Sequence, residues 1–324
     1  MMRSKKRSQP RWTSVRRRNL VAILISFAAV SLLYFQFDPT PAGGDIGEEA
    51  VDIDGITADI DIPTGNGSGA GGADSESGGG SANSLKGKTA LLMNVMLLER
   101  GLKKFENVNA YTATFYKRER VNGKMLDGQV MKLKMRHHPL SVYMKWEVGD
   151  KGRELLYVAG QHDGNMIVKL GGVKRLIPAL KLDPTGSTAM EESRHPVTEM
   201  GVIHLAKTLI DFRKKDLARK SGVSCRMFDN QTINDRDCFC FVIDYESKSV
   251  GKEYRKSVVF VDKESCLPIC VKNFTWPEDG KQLSGKKLDK DTLIEDYRYS
   301  GIRTDRKLAD ADFSRSNSNY RLRR

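Results

Sequence analysis

Four of the five cysteines fall into two closely spaced pairs, Cys238-Phe239-Cys240 and Cys266 with Cys270. On an extended strand, residues two or four apart point to the same face, so each pair presents two thiols to one side. If the two strands lie close, four sulfurs converge. That leaves three outcomes open: a disulfide, buried free thiols, or a metal. Metal is the weakest, because zinc knuckles place C-x-x-C on turns, and C-x-C with C-x-x-x-C on strands does not match. Cys225 stands apart, and five thiols leave at least one unpaired within a monomer. The five histidines, His137, His138, His162, His195 and His204, show no H-E-x-x-H, H-x-H or other compact ligand spacing. They read as ordinary surface or half-buried side chains, and no metal or cofactor is expected. No G-x-S-x-G, phosphate-binding P-loop or G-x-G-x-x-G occurs. Acidic residues are numerous, but spacing marks no acid/base couple. An enzyme is therefore not expected, although carboxylates can still assemble in space.

The charge is distributed in blocks that describe a topology. The 324 residues carry a formal net charge of +13. Residues 1–18 hold eight Lys or Arg and no acid, whereas 38–84 hold ten Asp or Glu and no Lys or Arg, which leaves +15 for the remainder. Between the first two blocks lies LVAILISFAAVSLLYFQF, Leu20 to Phe37, broken only by Ser26, Ser31 and Gln36 among its polar residues besides Tyr34. About 20 mostly apolar residues cross a bilayer core, and a basic flank stays on the cytoplasmic side. The expected organisation is a basic cytoplasmic segment (1–19), a transmembrane signal-anchor (20–37), an acidic Gly/Ser-rich flexible linker (38–84), an exported α+β domain (85–315) and a basic tail (316–324). The apolar length favours an uncleaved anchor over a cleaved signal. The expected location is the inner (cytoplasmic) membrane, single-pass, with the domain in the periplasm or extracytoplasmic space. A linker of this composition has a random-coil span of about 35–40 Å. Nucleic acid is not an expected partner, since the basic domain carries no recognisable module for it.

Within the domain, Thr89 to Glu106 places Leu91, Leu92, Val95, Met96, Leu98, Leu102 and Phe105 on a helical stripe, with Gly101 a weak point. The period then changes to two. Tyr111, Ala113 and Phe115 alternate with polar residues before an Asn122-Gly123 turn. Met131, Leu133 and Met135 alternate with Lys132, Lys134 and Arg136, which read as a solvated outer face. SVYMKWEV, GRELLYVAG and NMIVKL continue the ladder, making roughly five antiparallel strands by hairpin logic. Residues 171–195 read as irregular, and 195–217 as a helix. CFCFVIDYE, KSVVFVDK, CLPICVKNFTW and TLIEDYRYSGI return to strands. A curved antiparallel sheet with helices over one face satisfies this pattern.

Three blocks, ENVNAYTATFYKRERVNGKM, HHPLSVYMKWEVGDKGRELLYVAGQHDGNM and LDPTGSTAMEESRHPVTEMGVIHLAKTLI, occur in an order that resembles the uncharacterised bacterial exported family called domain of unknown function 1571. More distantly, the layout is similar to the lipoprotein-carrier (LolA/LolB-like) fold. The matching features are Tyr111-Thr112-Ala113-Thr114-Phe115 as the first strand, Pro139 through Trp146, the hairpin from Val261 to Pro268, Tyr297-Arg298-Tyr299, and Asp310 to Phe313. The resemblance implies an incurved half-barrel with helices across its mouth and an apolar cavity for acyl chains.

On this reading Tyr111, Phe115, Met131, Leu133, Met144, Trp146, Phe239 and Phe241 line a cavity for a lipid or lipoprotein acyl chain, and Leu91–Phe105 with Val197–Ile210 form a lid. Periodicity serves a closed core equally well. The alternative function is a non-enzymatic envelope scaffold or sensor that binds a protein or cell-wall polymer, with the membrane engaged through Leu20–Phe37.

Overall fold

Period-two alternation produces the sheet that organises this chain. The computed structural model describes residues 52–63, 85–278 and 283–323. The segments expected at 1–19 and 20–37, and most of the linker, lie outside these residues. No helix among the described residues is long and apolar enough to cross a membrane. In chain order the elements are α1 (Ile53–Thr57), α2 (Gly87–Lys104), β1 (Ala110–Val121), β2 (Lys124–Met125), β3 (Gln129–Arg136), β4 (Ser141–Val148), β5 (Glu154–Val158), β6 (Met166–Lys169) and β7 (Leu180–Leu182). There follow α3 (Ser187–Met190), α4 (Val202–Ala218), β8 (Val223–Ile233), β9 (Arg236–Tyr245), β10 (Lys256–Asp262), β11 (Pro268–Phe274), α5 (Gly285–Thr292) and β12 (Leu293–Arg303). The strands form one open antiparallel sheet in the order β7-β6-β5-β4-β3-β1-β12-β11-β10-β9-β8, with β2 attached to β1 alone.

One face takes the odd positions of β1, β3, β9, β10 and β12. Under α2 and α4, Leu91, Val95, Leu98, Ala206 and Leu209 meet Phe241, Ile243, Val259 and Val261. Nearer β4–β6, Tyr111, Phe115, Met131, Leu133, Met144 and Trp146 form a second cluster. Helix α4 begins at Val202, later than the apolar stripe suggests. Gly201 just before it holds φ at 106°, a conformation that disfavours any residue with a Cβ. The first amide of α4, an orphan donor in any helix, donates to the Tyr111 hydroxyl at 2.9 Å. A Cβ on Gly201 would stand 2.9 Å from that same hydroxyl.

The opposite face is covered by the two ends of the described chain, which departs from a solvated outer face. Helix α1 places Ile56 against Tyr116 and Val130, and the buried Arg298 donates to the Ile56 carbonyl at 2.9 Å. This stretch was expected to belong to the flexible linker. At the other end, Phe313, Tyr320 and Leu322 pack on Tyr143, Leu156, Val158 and Ile167, with the rings of Tyr143 and Tyr320 stacked at 3.9 Å. Tyr320 and Leu322 of the basic tail are thus built into the core. The reason is local: Lys134 pairs with Asp312 at 2.8 Å and Arg136 with Asp310 at 2.5 Å, so the basic stripe of β3 is neutralised by acids just upstream of the tail.

Of the three outcomes left open for Cys238, Cys240, Cys266 and Cys270, the structure has the buried free thiols: all five cysteines are free and buried. Cys240 pairs across to Phe260, and Phe260 to Cys270, so β10 separates the two strands' thiols. Two interstrand steps amount to roughly 9.5 Å, beyond disulfide reach. Burial pushes the thiols of Cys225, Cys238 and Cys270 up to about 12, so they stay protonated and unreactive.

The docking of α2 makes a prediction opposite in sign to helix propensity. Gly101→Ala gains about 1 kcal/mol of intrinsic helicity. Yet a Cβ there would lie 2.3 Å from the backbone carbonyl oxygen of Cys266. The expected net result is a loss of about 1–3 kcal/mol from overpacking against immobile backbone, read from the urea midpoint. A raised midpoint would refute the close contact.

Candidate functional site

Helix α4 and the Gly201 that precedes it present Gly201, His204, Leu205, Thr208, Leu209 and Phe212 as one stripe facing the cavity. Between this stripe and strands β1, β3–β7 and β10–β12 lies a partly open cavity of about 460 Å³. The connection 184–200, including α3, forms its roof. The walls are apolar over β4–β7, with Met144, Trp146, Leu155, Met166, Val168, Leu180 and Leu182. The register explains this wall: Met144 faces Leu155, Leu155 faces Val168, and Val168 faces Leu180.

Of the residues expected to line a cavity, Phe115, Met131, Met144 and Trp146 do so. Tyr111 and Leu133 are buried in the adjoining packed cluster. Phe241 is fully buried beneath α2 and α4, with the half-buried Phe239 beside it. One apolar face therefore supplies both an open volume and a closed core.

The other end of the cavity is polar, and its centre is the buried carboxylate of Glu295 on β12. It accepts from Arg194 Nε at 2.6 Å, Asn273 Nδ2 at 2.8 Å and the Tyr254 hydroxyl at 3.2 Å. His195 Nε2 lies 3.2 Å away. A second buried carboxylate, Glu119 on β1, accepts from Lys117 Nζ at 3.1 Å, from the Arg194 amide at 3.3 Å and from the Tyr297 hydroxyl. Arg194 also reaches Glu253 at 2.6 Å, and Lys117 reaches the Ser193 hydroxyl at 3.2 Å. These bonds fasten the 191–200 connection to the sheet and so fix the roof.

Burial alone would raise the Glu295 carboxyl, but the hydrogen bonds from His195 and Asn273 and the charge of Arg194 outweigh it and hold the group at about 2. Reciprocally, the bond to Glu295 raises His195 above its ordinary value. Burial, followed by the Glu295 charge, raises Tyr254 and Tyr297. The cluster therefore holds two buried Glu side chains that each accept several hydrogen bonds, with two neutral phenols beside them. Among the described residues, no three His, Cys, Asp or Glu side chains converge as a metal set. Sequence reading missed Glu119, Arg194, His195 and Glu295.

The pair predicts a stability optimum. Glu295 has a depressed value, so its contribution is complete above about pH 4.5 and fades as pH falls toward 2. His195 has a raised value, so its contribution is complete below about 6.5 and fades as pH rises through the folded value. The His195 side chain is 44% exposed, so its share is screened and smaller. Urea midpoints at pH 3, 5.5 and 8 are expected to peak at 5.5, with His195→Gln flattening the alkaline limb. An unchanged limb would show that the pair carries no linkage.

The profile of a family described as "Protein of unknown function (DUF1571)" matches residues 108–322. No curated protein matches the chain. Among solved structures, the chain is similar to the lipoprotein LppX of Mycobacterium tuberculosis, at 12% identity over 67% of this chain and 99% of that one, with a TM-score of 0.38. A DUF1329 family protein from Desulfovibrio piger gives 12% identity over 69% and 97%, with a TM-score of 0.32. A LolA superfamily protein from Nitrosomonas europaea gives 12% over 68% and 96%, with a TM-score of 0.25.

Proposed function

As a member of the family of unknown function DUF1571, whose profile spans residues 108–322, the chain invites a reading from its own geometry, and we propose that it binds an acyl chain of a lipid or lipoprotein without catalysing a reaction. The observation that carries this reading is the cavity of about 460 Å³ between sheet and α4, walled by Met144, Trp146, Leu155, Met166 and Val168. Its size falls within the range of small-molecule sites, and its lining is that of an apolar ligand. Each methylene buried there contributes about 0.8 kcal/mol. The polar end serves to fix the roof and to face the end of the ligand that is not hydrocarbon.

The finer parts of the proposal are a half-barrel of the lipoprotein-carrier type, held at the inner membrane by Leu20–Phe37, with the folded part on the extracytoplasmic side. The test is organic extraction and mass spectrometry of the purified full chain, followed by titration of the delipidated protein with a fluorescent fatty acid. Copurified lipid and saturable, stoichiometric binding are expected. A protein that carries no lipid and leaves the probe unbound overturns the reading.

A further inference from the structure

The wall of the cavity on the β6–β7 side continues into an apolar, basic surface. Residues 172–181 read GVKRLIPALK, with three Lys or Arg and no acid. Val173 is 82% exposed and Leu176 is 86% exposed, with Ile177 and Leu180 also open to solvent. Half of the exposed large apolar side chains among the described residues fall within residues 173–180. Clustered apolar exposure of this kind marks a contact surface, whereas scattered single residues do not.

The segment is held in place. Gly171 is packed so closely against the β4–β5 turn that a Cβ would stand 2.5 Å from the Asp150 carbonyl oxygen. The Gly172 amide donates to the Lys151 carbonyl at 3.1 Å, and Lys169 Nζ donates to the Ile177 carbonyl at 2.8 Å. Leu180 and Leu182 then re-enter the sheet opposite Val168 and Met166 and line the cavity, as does Leu170 on the near side. The exposed stretch is the lip of the cavity.

We propose that this lip, residues 172–181, docks on an anionic lipid bilayer, with Val173 and Leu176 inserted among the acyl chains and Lys174 and Arg175 against the headgroup phosphates, while Lys181 is held by Asp163. The proposal rests on the reading of the cavity as an acyl-chain site, and it supplies the surface across which a chain passes between bilayer and protein. Charge complementarity selects the occupant: a basic rim around apolar side chains suits an anionic interface, whereas a second copy of this chain would meet the same positive rim with a like charge.

The five native cysteines are buried, so Leu176→Cys in the full chain accepts an environment-sensitive fluorophore selectively. With phosphatidylglycerol-containing vesicles the probe is expected to shift to the blue and to be quenched by brominated acyl chains, and to do neither with pure phosphatidylcholine. Adding Lys174→Gln and Arg175→Gln removes two charges and lowers the docked-to-undocked ratio about 30-fold, a factor of about five per charge. A probe that stays water-like on anionic vesicles overturns the proposal. So does a blue shift without bromine quenching, which would mean self-association. The fluorescent fatty acid titration is run on the same protein: retained binding with an undocked lip sinks the lip alone, and a docked lip with no fatty acid bound sinks the cavity reading alone.

Discussion

Glu295→Leu is expected to destabilise the protein by roughly 3–5 kcal/mol, the range for removing one partner of a buried ion network. The substitution keeps apolar volume but strands Arg194, Asn273 and Tyr254, which all donate to this carboxylate. Leaving buried donors unpaired costs more than the net worth of the bonds they made. Glu295→Gln retains one acceptor oxygen and should lose less. Glu253→Gln serves as the control: it also meets Arg194, but its side chain is 50% exposed, and a pair of that kind contributes at most about 1 kcal/mol. Urea unfolding at pH 5.5 measures all three. A Leu variant within 1 kcal/mol of the parent would mean that the network has no net hold on the roof.

The second large effect concerns the cavity. Ala189→Trp, on the half-buried face of α3 that lines the roof, projects an indole into the open volume. If it displaces three or four methylenes of a bound chain, affinity falls about 100-fold, since each contributes about 0.8 kcal/mol. Stability is expected to change by less than about 1 kcal/mol, because a ring that fills empty space avoids the strain of overpacking. Titration with the fluorescent fatty acid gives the first number and urea unfolding the second. Unaltered affinity would place the ligand elsewhere, and a large stability loss would show that the volume is filled core.

How much of this could be read in advance follows from period and parity. The strands of β1, β3 and β4 were legible because Tyr111 to Phe115, Met131 to Met135 and Val142 to Trp146 alternate cleanly. The same parity runs on through Lys117 and Glu119, and on β12 through Glu295, Tyr297 and Tyr299. A carboxylate on the apolar face of a strand was therefore a signal present in the residues and left unused. Arg194 and His195 gave no such signal, since they reach Glu295 from an irregular connection across 100 residues of sequence or more. The start of α4 was hidden for another reason: one glycine with positive φ interrupts a stripe that periodicity alone would continue. The burial of Tyr320 and Leu322 was hidden because two apolar residues in a basic tail carry no period. Tyr320 stacks on the ring of Tyr143 and donates its hydroxyl to the Asp312 backbone carbonyl, and Leu322 packs in the same cluster. Splitting the apolar face into cavity and core depends on where α4 and the roof stand off from the sheet, and no alternation pattern encodes that distance.

The central pairing of the sheet has a temporal side. Strand β1 sits in the middle with β3 on one flank and β12 on the other, and Thr112 meets Arg303. During synthesis at about 5–20 residues per second, β1 waits roughly 10–40 s for that neighbour to be made. Until then the β1–β7 ladder and the β8–β11 ladder are two separate half-sheets, each with a raw edge able to pair with another molecule. The final strand thus acts as a clasp, and a chain cut short before Leu293 would leave both edges exposed. Such a truncated product is one that a cell's quality control would meet as an aggregate-former, with the cavity open along one side.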